Sequence, residues 1–220
     1  MASFYGEQHR SLQDEFDSRR LADLLEAGFV VGEVDDAAKA FIESKDMFFL
    51  STIDQNGNPT VSYKGGDIGF VRVVDNKTIA FPFYDGNGMF YSWGNIVGNA
   101  KVGMLFIDFE KPYRLRVQGT AKVDMNDELM MEYVEAQGIV RVTVDSVWPN
   151  CTRYIHRYEK VKTSRYVPQK AGETPLAGWK RIDIVQEALP EKDQGRAEQA
   201  GGLIGVEDWF GKVAEGSEEA

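Results

Sequence analysis

Phe48-Phe49-Leu50-Ser51-Thr52-Ile53 runs into Asp54-Gln55-Asn56-Gly57-Asn58-Pro59 and then into Thr60-Val61-Ser62-Tyr63-Lys64. The two flanking runs are rich in β-branched and aromatic residues, and Asn-Gly between such runs is a strong hairpin signal. Gly65-Gly66 ends the second strand. The same texture continues downstream. Residues 70–74 and 78–84 read as strands around the turn Asp75-Asn76-Lys77, and 101–109 reads as a fifth strand. Residues 113–123 form a long sixth, with Leu115 and Val117 alternating with Arg114, Arg116 and Gln118. Residues 141–147 alternate as a seventh, and 154–161 offer one more. Short strands joined by tight turns, without a strand-helix rhythm, specify an antiparallel barrel or sandwich rather than a doubly wound sheet.

Outward from this body the chain is helical, then irregular. Residues 9–27 read as an amphipathic helix carrying Leu12, Phe16, Leu21, Leu24 and Leu25, stopped by Gly28. A second helix over 36–45 has Asp35 as N-cap and Phe41 and Ile42 facing inward. A short helix is expected at about 127–137. The organisation is then helices over 1–46, a barrel over 47–165, and an arm and acidic tail over 166–220, all in one domain. Pro168, Pro175 and Pro190 break up the arm, Trp179 offers it an anchor, and Leu203, Ile204, Val206, Trp209 and Phe210 suggest a short docked element in the tail.

With 220 residues, the chain can bury a core without disulfides or metals. Its 25 Lys and Arg against 35 Asp and Glu argue against nucleic-acid binding, which needs a basic footprint. Residues 191–220 hold eight acids against three bases, half of the net charge of −10, so basic groups can still gather in the body around an anionic ligand. One cysteine, Cys151, excludes an intrachain disulfide and fits a reducing compartment. The histidines, His9 and His156, lie far apart and make no zinc motif. No apolar run reaches a membrane span and no signal-peptide pattern is read, so the expectation is a cytoplasmic protein without a membrane partner.

The chemistry sits in Tyr84-Asp85-Gly86-Asn87-Gly88-Met89-Phe90-Tyr91-Ser92-Trp93-Gly94-Asn95. Gly86 and Gly88 allow close backbone approach, and Ser92 and Asn95 share one face of a following helix. Helix-start amides beside hydroxyl and amide side chains suit a phosphate, and the same spacing also suits a plain turn entering a helix. Lys64 at a strand end can meet an anion or simply face water. Arg114 and Arg116 project from one strand face, as an anion clamp or as a solvated edge. Cys151, five residues before His156, reads as a packed small thiol within a segment that shapes a pocket wall.

Taken in order, these pieces resemble the pyridoxamine 5'-phosphate oxidase-like superfamily of flavin-binding split β-barrels. The resemblance covers roughly 45–165: Phe49-Leu50-Ser51-Thr52, Asn56-Gly57-Asn58-Pro59, Val61-Ser62-Tyr63-Lys64, Ala80-Phe81-Pro82-Phe83-Tyr84, the loop and helix from Asp85 to Ile96, Asn99 to Phe106, and Leu115 to Ala121. Val147-Trp148-Pro149-Asn150-Cys151 followed by Arg153 resembles a signature of one branch. The resemblance implies a mainly β fold with flanking helices, an antiparallel split barrel. It also implies a homodimer with FMN at the subunit interface and a small-molecule substrate or electron donor. It assigns Ser62, Lys64, Asn87, Ser92 and Asn95 to the phosphate and ribityl chain, Tyr63 and Tyr84 to the neighbourhood of the flavin, and Arg114 and Arg116 to a strand reaching the flavin from the partner subunit, with Arg153 also in the cofactor set. Asn87-Gly88-Met89-Phe90-Tyr91 carries no cation where pyridoxamine phosphate oxidases carry a basic grip, so vitamin B6 oxidation is not expected. The implied function is an FMN-dependent oxidoreductase. The alternatives are a module that stores, senses or delivers FMN, haem or a deazaflavin, and a cofactor-free scaffold.

Overall fold

The computed structural model describes residues 3–220. The chain divides into two compact units, Met1–Glu159 and Lys160–Ala220.

The first unit is built on seven antiparallel strands: β1 (Met47–Ile53), β2 (Pro59–Gly65), β3 (Arg72–Asp75), β4 (Thr78–Phe83), β5 (Lys101–Asp108), β6 (Tyr113–Asp124) and β7 (Gly138–Asn150). They lie side by side in the order β2-β1-β5-β6-β7-β4-β3, so β2 and β3 are edges and the sheet is not closed by pairing. It nevertheless curls round one core. Phe48 of β1 meets Phe81 of β4, four places away in the sheet, with ring centroids 4.9 Å apart, and Phe106 of β5 at 5.2 Å. All three are fully buried with Leu50, Ile79, Val117, Val140 and Val142. This is the antiparallel split barrel with flanking helices that the sequence implied.

Alternation explains the register. In β1, Phe48, Leu50 and Thr52 are buried, and in β6, Leu115, Val117, Gly119 and Ala121 are. At Gln118 and Gly119 the pairing of β6 with β7 shifts by one residue, a bulge that bends two long strands round the core. Gly119 is needed there, because a Cβ would lie 2.5 Å from the Thr143 carbonyl oxygen.

Several boundaries differ from the sequence reading. The expected helix over 9–27 is two helices, α1 (Glu7–Glu15) and α2 (Arg19–Phe29), broken where Asp17 takes a left-handed φ of 48°, and Gly28 lies inside α2 rather than stopping it. α1 buries no residue and α2 only Ala22, so Leu12, Phe16, Leu21, Leu24 and Leu25 stay exposed in this single chain. α3 (Asp36–Glu43) begins as expected, with the Asp35 carboxylate accepting the Ala38 amide at 2.7 Å, and it buries Ile42 against the barrel. The helix expected at 127–137 is one 3-10 segment, Glu128–Glu132, capped by Asp127. The strand suggested over 154–161 is absent, and β7 is longer than expected at both ends.

The second unit contains 3-10 turns at Gly178–Arg181, Asp183–Ala188 and Glu191–Asp193, a four-residue helix α5 (Arg196–Gln199), and α6 (Val206–Ala214). A bridge between Ile182 and Ile204 and a buried Lys180–Asp193 ion pair at 2.8 Å tie these pieces together. Among the described residues, no helix is long and apolar enough to cross a membrane, and no group of three or more His, Cys, Asp or Glu could hold a metal ion.

Candidate functional site: a lysine–serine cleft at the barrel seam

The edge strand β2 and the end of β4 do not pair, and the seam between them is closed by residues 84–90 and the helix α4 (Tyr91–Gly98). A cleft of about 430 Å³ opens here. That falls within the roughly 300–1,000 Å³ of small-molecule sites.

Ser62 and Lys64 are two apart on β2, so both point towards α4. The Ser62 and Ser92 hydroxyl oxygens lie 3.1 Å apart, and the Lys64 ammonium group donates to Ser92 Oγ at 3.2 Å. The ammonium also sits 4.6 Å above the Trp93 ring, which packs on Phe83 with centroids 4.8 Å apart. No carboxylate pairs with Lys64 among the described residues, and burial pushes its pKa below the usual lysine value. A half-buried cation with two hydroxyls and no counter-ion is poised for an anion.

α4 is held in place from below. Asn95 Nδ2 donates to Thr52 Oγ1 at 3.0 Å and to Thr60 Oγ1 at 3.5 Å, and the two threonine hydroxyls lie 2.8 Å apart across β1 and β2. The Tyr91 hydroxyl donates to Asp54 Oδ2 at 3.2 Å. Asp54 also accepts the amides of Asn56 and Asn58, and the Asn58 amide leads the contacts that hold its carboxyl below the ordinary range. The loop enters α4 through Gly88 at φ 75° and Phe90 at φ 49°, the latter a left-handed conformation that costs a non-glycine residue about 1–3 kcal/mol. That turn aims the start of α4 at Lys64, because Tyr91, Ser92 and Trp93 all line the cleft. Tyr84 lines the same space, and burial raises its hydroxyl pKa to about 12, so it stays neutral at physiological pH.

Of the ten residues singled out by sequence, Ser62, Tyr63, Lys64, Tyr84, Asn87 and Ser92 line this cleft. Tyr63 lies over Gly65, where a Cβ would come 2.8 Å from its ring. Asn95 is buried behind the cleft as the clasp just described. Arg114 and Arg116 share the opposite, outer face of the sheet. Tyr63, Phe49, Leu105, Arg116 and Trp148 are successive cross-strand partners, which puts Arg116 three strand spacings, or about 14 Å, from Tyr63. Arg153 is exposed beyond the end of β7. Cys151 is exposed rather than packed, because it follows the last paired residue of β7. The Arg153 amide, 3.4 Å from its sulfur, is the first cause of a lowered thiol pKa. Thr52, Thr60 and Trp93 were missed. A polar Thr52 in an inward position of β1 was the available signal.

The family model for pyridoxamine 5'-phosphate oxidase matches residues 34–151, more than half of the chain. The chain belongs to the pyridoxamine 5'-phosphate oxidase-like split-barrel superfamily. Similar solved structures include HupZ of Group A Streptococcus, 17% identical with a TM-score of 0.44 over 57% of this chain and 99% of that one. An FMN-binding protein from Syntrophomonas wolfei is 14% identical, with a TM-score of 0.40 over 64% of this chain and 96% of that one. A conserved hypothetical protein from Mycobacterium tuberculosis is 14% identical, with a TM-score of 0.43 over 62% and 96%. A comparison with curated protein sequences returns no match. The matched span takes in all seven strands, α3 and α4, so the whole Lys64–Ser92 cradle lies inside it.

Proposed function

We propose that this split-barrel protein is a cytoplasmic flavoprotein that binds FMN at the seam, works as a homodimer, and uses the flavin to oxidise or reduce a small organic molecule. The observation that carries the reading is the Lys64 ammonium beside Ser62, Ser92 and the start of α4, with no carboxylate paired to it among the described residues. A phosphate dianion is the complement of that set, since anions gain from helix N-terminal amides and from a desolvated cation together. The groups fit FMN in a second respect. Trp93, Phe83 and Tyr84 give the rest of the cleft an apolar, aromatic wall.

Bound FMN would supply the hydride or electron transfer. The chain's own residues bind and orient. Lys64 and Ser92 hold the phosphate, Ser62 orients Ser92, and Asn87 and neutral Tyr84 offer hydrogen bonds to the ribityl chain and ring. No side chain is assigned as acid or base. Arg114 and Arg116 lie outside their own chain's cleft and act on the cofactor of a second copy, with Arg153 in the same cofactor set. The dimer reading is supported by apolar exposure around the seam: Val61 and Tyr63 on β2 are 70% and 62% exposed, and Met89 and Phe90 66% and 54%. A single cysteine in 220 residues suits the cytoplasm.

The test is the visible spectrum of the purified protein, with the acid-released chromophore identified by mass and reduction followed with nicotinamide donors. FMN at about one per chain, reduced and reoxidised with turnover, is the expected result. A colourless protein that takes up no added FMN overturns the reading, and a haem spectrum overturns the cofactor. Tight FMN that cannot be reduced by any donor overturns the oxidoreductase part and leaves a storage or delivery module.

A further inference from the structure

The second unit has a cavity of its own, of about 410 Å³, lined by three arginines, Arg165, Arg181 and Arg196, with Tyr166 and Gln199 between them. Arg181 is its fixed point. Its side chain is only 9% exposed, Nε donates to the Gly202 carbonyl at 2.9 Å, and Nη2 donates to the Gly201 carbonyl at 2.9 Å. The remaining nitrogen, Nη1, faces the Glu219 carboxylate at 4.0 Å, beyond hydrogen-bond distance. The nearby carboxylates are shared. Asp193 serves Lys180 at 2.8 Å and Arg196 at 3.6 Å, and Glu219 is gripped by Lys212 at 2.6 Å. Arg165 lies 5.9 Å over the Tyr166 ring, and Glu173 is the other acid of the lining.

A guanidinium this deeply buried needs an anion in reach, and its planar fork matches carboxylate or phosphate with two parallel bonds. Here the fork has two backbone carbonyls and, at 4.0 Å, the half-exposed carboxylate of Glu219. We infer that this cavity is a second ligand site, for a small organic dianion carrying a phosphate or paired carboxylates, and that Glu219 is the internal carboxylate such a ligand displaces from Arg181. The site lies wholly in the second unit and does not depend on the flavin reading.

The experiment is calorimetric titration of the full-length protein with inorganic phosphate and, separately, with succinate, in a chloride buffer. One saturable site is expected in addition to any phosphate binding at the Lys64 seam, and the tighter probe at that added site names the ligand class. The site persists in Lys64→Met, which alters only the seam of the first unit. It weakens at least about tenfold in Arg165→Gln/Arg196→Gln, since two charge-assisted contacts to the anion are lost. Glu219→Gln tightens binding by about two- to fivefold, the scale of an exposed ion pair. Absence of saturable binding by both probes overturns the inference, as does unchanged affinity in the arginine variant. Loss of binding in Lys64→Met also overturns it, by moving the anion to the seam. If circular dichroism shows the double variant misfolded, the exposed single change Arg165→Gln, with Glu219→Gln, decides on the same criteria.

Discussion

Replacing Lys64 by methionine separates a phosphate cradle from a structural lysine. The side chain keeps its approximate length and its contact with Trp93 but loses the charge that sits 3.2 Å from Ser92 Oγ and 4.6 Å from the indole. Two unit charges about 4 Å apart interact by about 4 kcal/mol at an effective dielectric of about 20, and desolvation offsets part of this. Hydrogen bonds to charged groups net about 1.5–3 kcal/mol, so FMN is expected to bind about 10- to 150-fold more weakly. Riboflavin, which lacks the phosphate, should bind both proteins alike. The apo-protein should not suffer. Burial lowers the Lys64 pKa, so the folded chain holds this proton less tightly than the unfolded chain does. Below the lowered folded value both states are protonated and the folded state carries the full burial cost, which fades as pH rises through the folded value towards about 10.4. Lys64→Met should therefore be at least as stable as wild type where the folded lysine is charged, and lose that advantage as pH rises through the lowered folded value towards about 10.4. Fluorescence quenching titrations with FMN and riboflavin, with urea melts of both apo-proteins, measure all of this. Equal losses for FMN and riboflavin, or no loss for either, would refute the cradle.

Three further outcomes follow from the packing. Thr52→Val leaves Asn95 Nδ2 without its closest acceptor in a buried site, and should lower stability by about 1–3 kcal/mol in urea denaturation and weaken FMN binding through a loosened α4. Gly119→Ala forces a Cβ to within 2.5 Å of a backbone carbonyl at the β6–β7 bulge, and a loss of about 1–3 kcal/mol or an insoluble protein is expected, against no measurable change for Gly86→Ala, whose Cβ meets nothing. Asp127 is held below the ordinary carboxylate range first by the Arg141 guanidinium, with bonds of 2.6 and 2.9 Å. Its stabilisation is present above about pH 4 and is lost as pH falls through the lowered folded value, so the acid-induced loss of thermal stability should be shallower in Asp127→Asn than in wild type.

The hairpin over 48–64 was legible because Asn-Gly fixes a turn whatever surrounds it, and the observed loop keeps Gly57 at φ 82°. The length of β7 was not legible, because Pro149 reads as a strand breaker. The fold accommodates it: Pro149 pairs with Leu115 of β6, while β4 reaches only to Thr143, so no neighbouring β4 residue requires the missing amide. The helix pattern over 9–27 misled in the other direction. Apolar periodicity reports a face that needs covering, not the surface that covers it, and Leu21, Leu24 and Leu25 meet no core in this unit. For the site, strand alternation placed Arg114 and Arg116 on one face, and the same alternation in β2 puts Ser62 with Lys64. It could not say that the two pairs occupy opposite faces of one sheet, since that depends on the cross-strand register from β2 through β1 and β5 to β6.

That opposition supports the proposed site made by two chains. The inner face of the sheet is filled with phenylalanine and aliphatic side chains, leaving polar chemistry only at the seam, where β2 and β4 fail to pair and Lys64, Ser62 and Ser92 gather. The outer face carries Arg114 and Arg116 on β6, with Arg116 about 14 Å from Tyr63 by strand count and on the other side of the sheet from Lys64. An outer face that also exposes Val61 and Tyr63 can meet its own copy. In a two-fold assembly every contact is reciprocal, so a β6 arginine brought to the partner's seam is answered by the same arginine in return. A dianionic cofactor would then be gripped by Lys64 of one subunit and guanidinium groups of the other, and binding and dimerisation would stabilise each other by mass action.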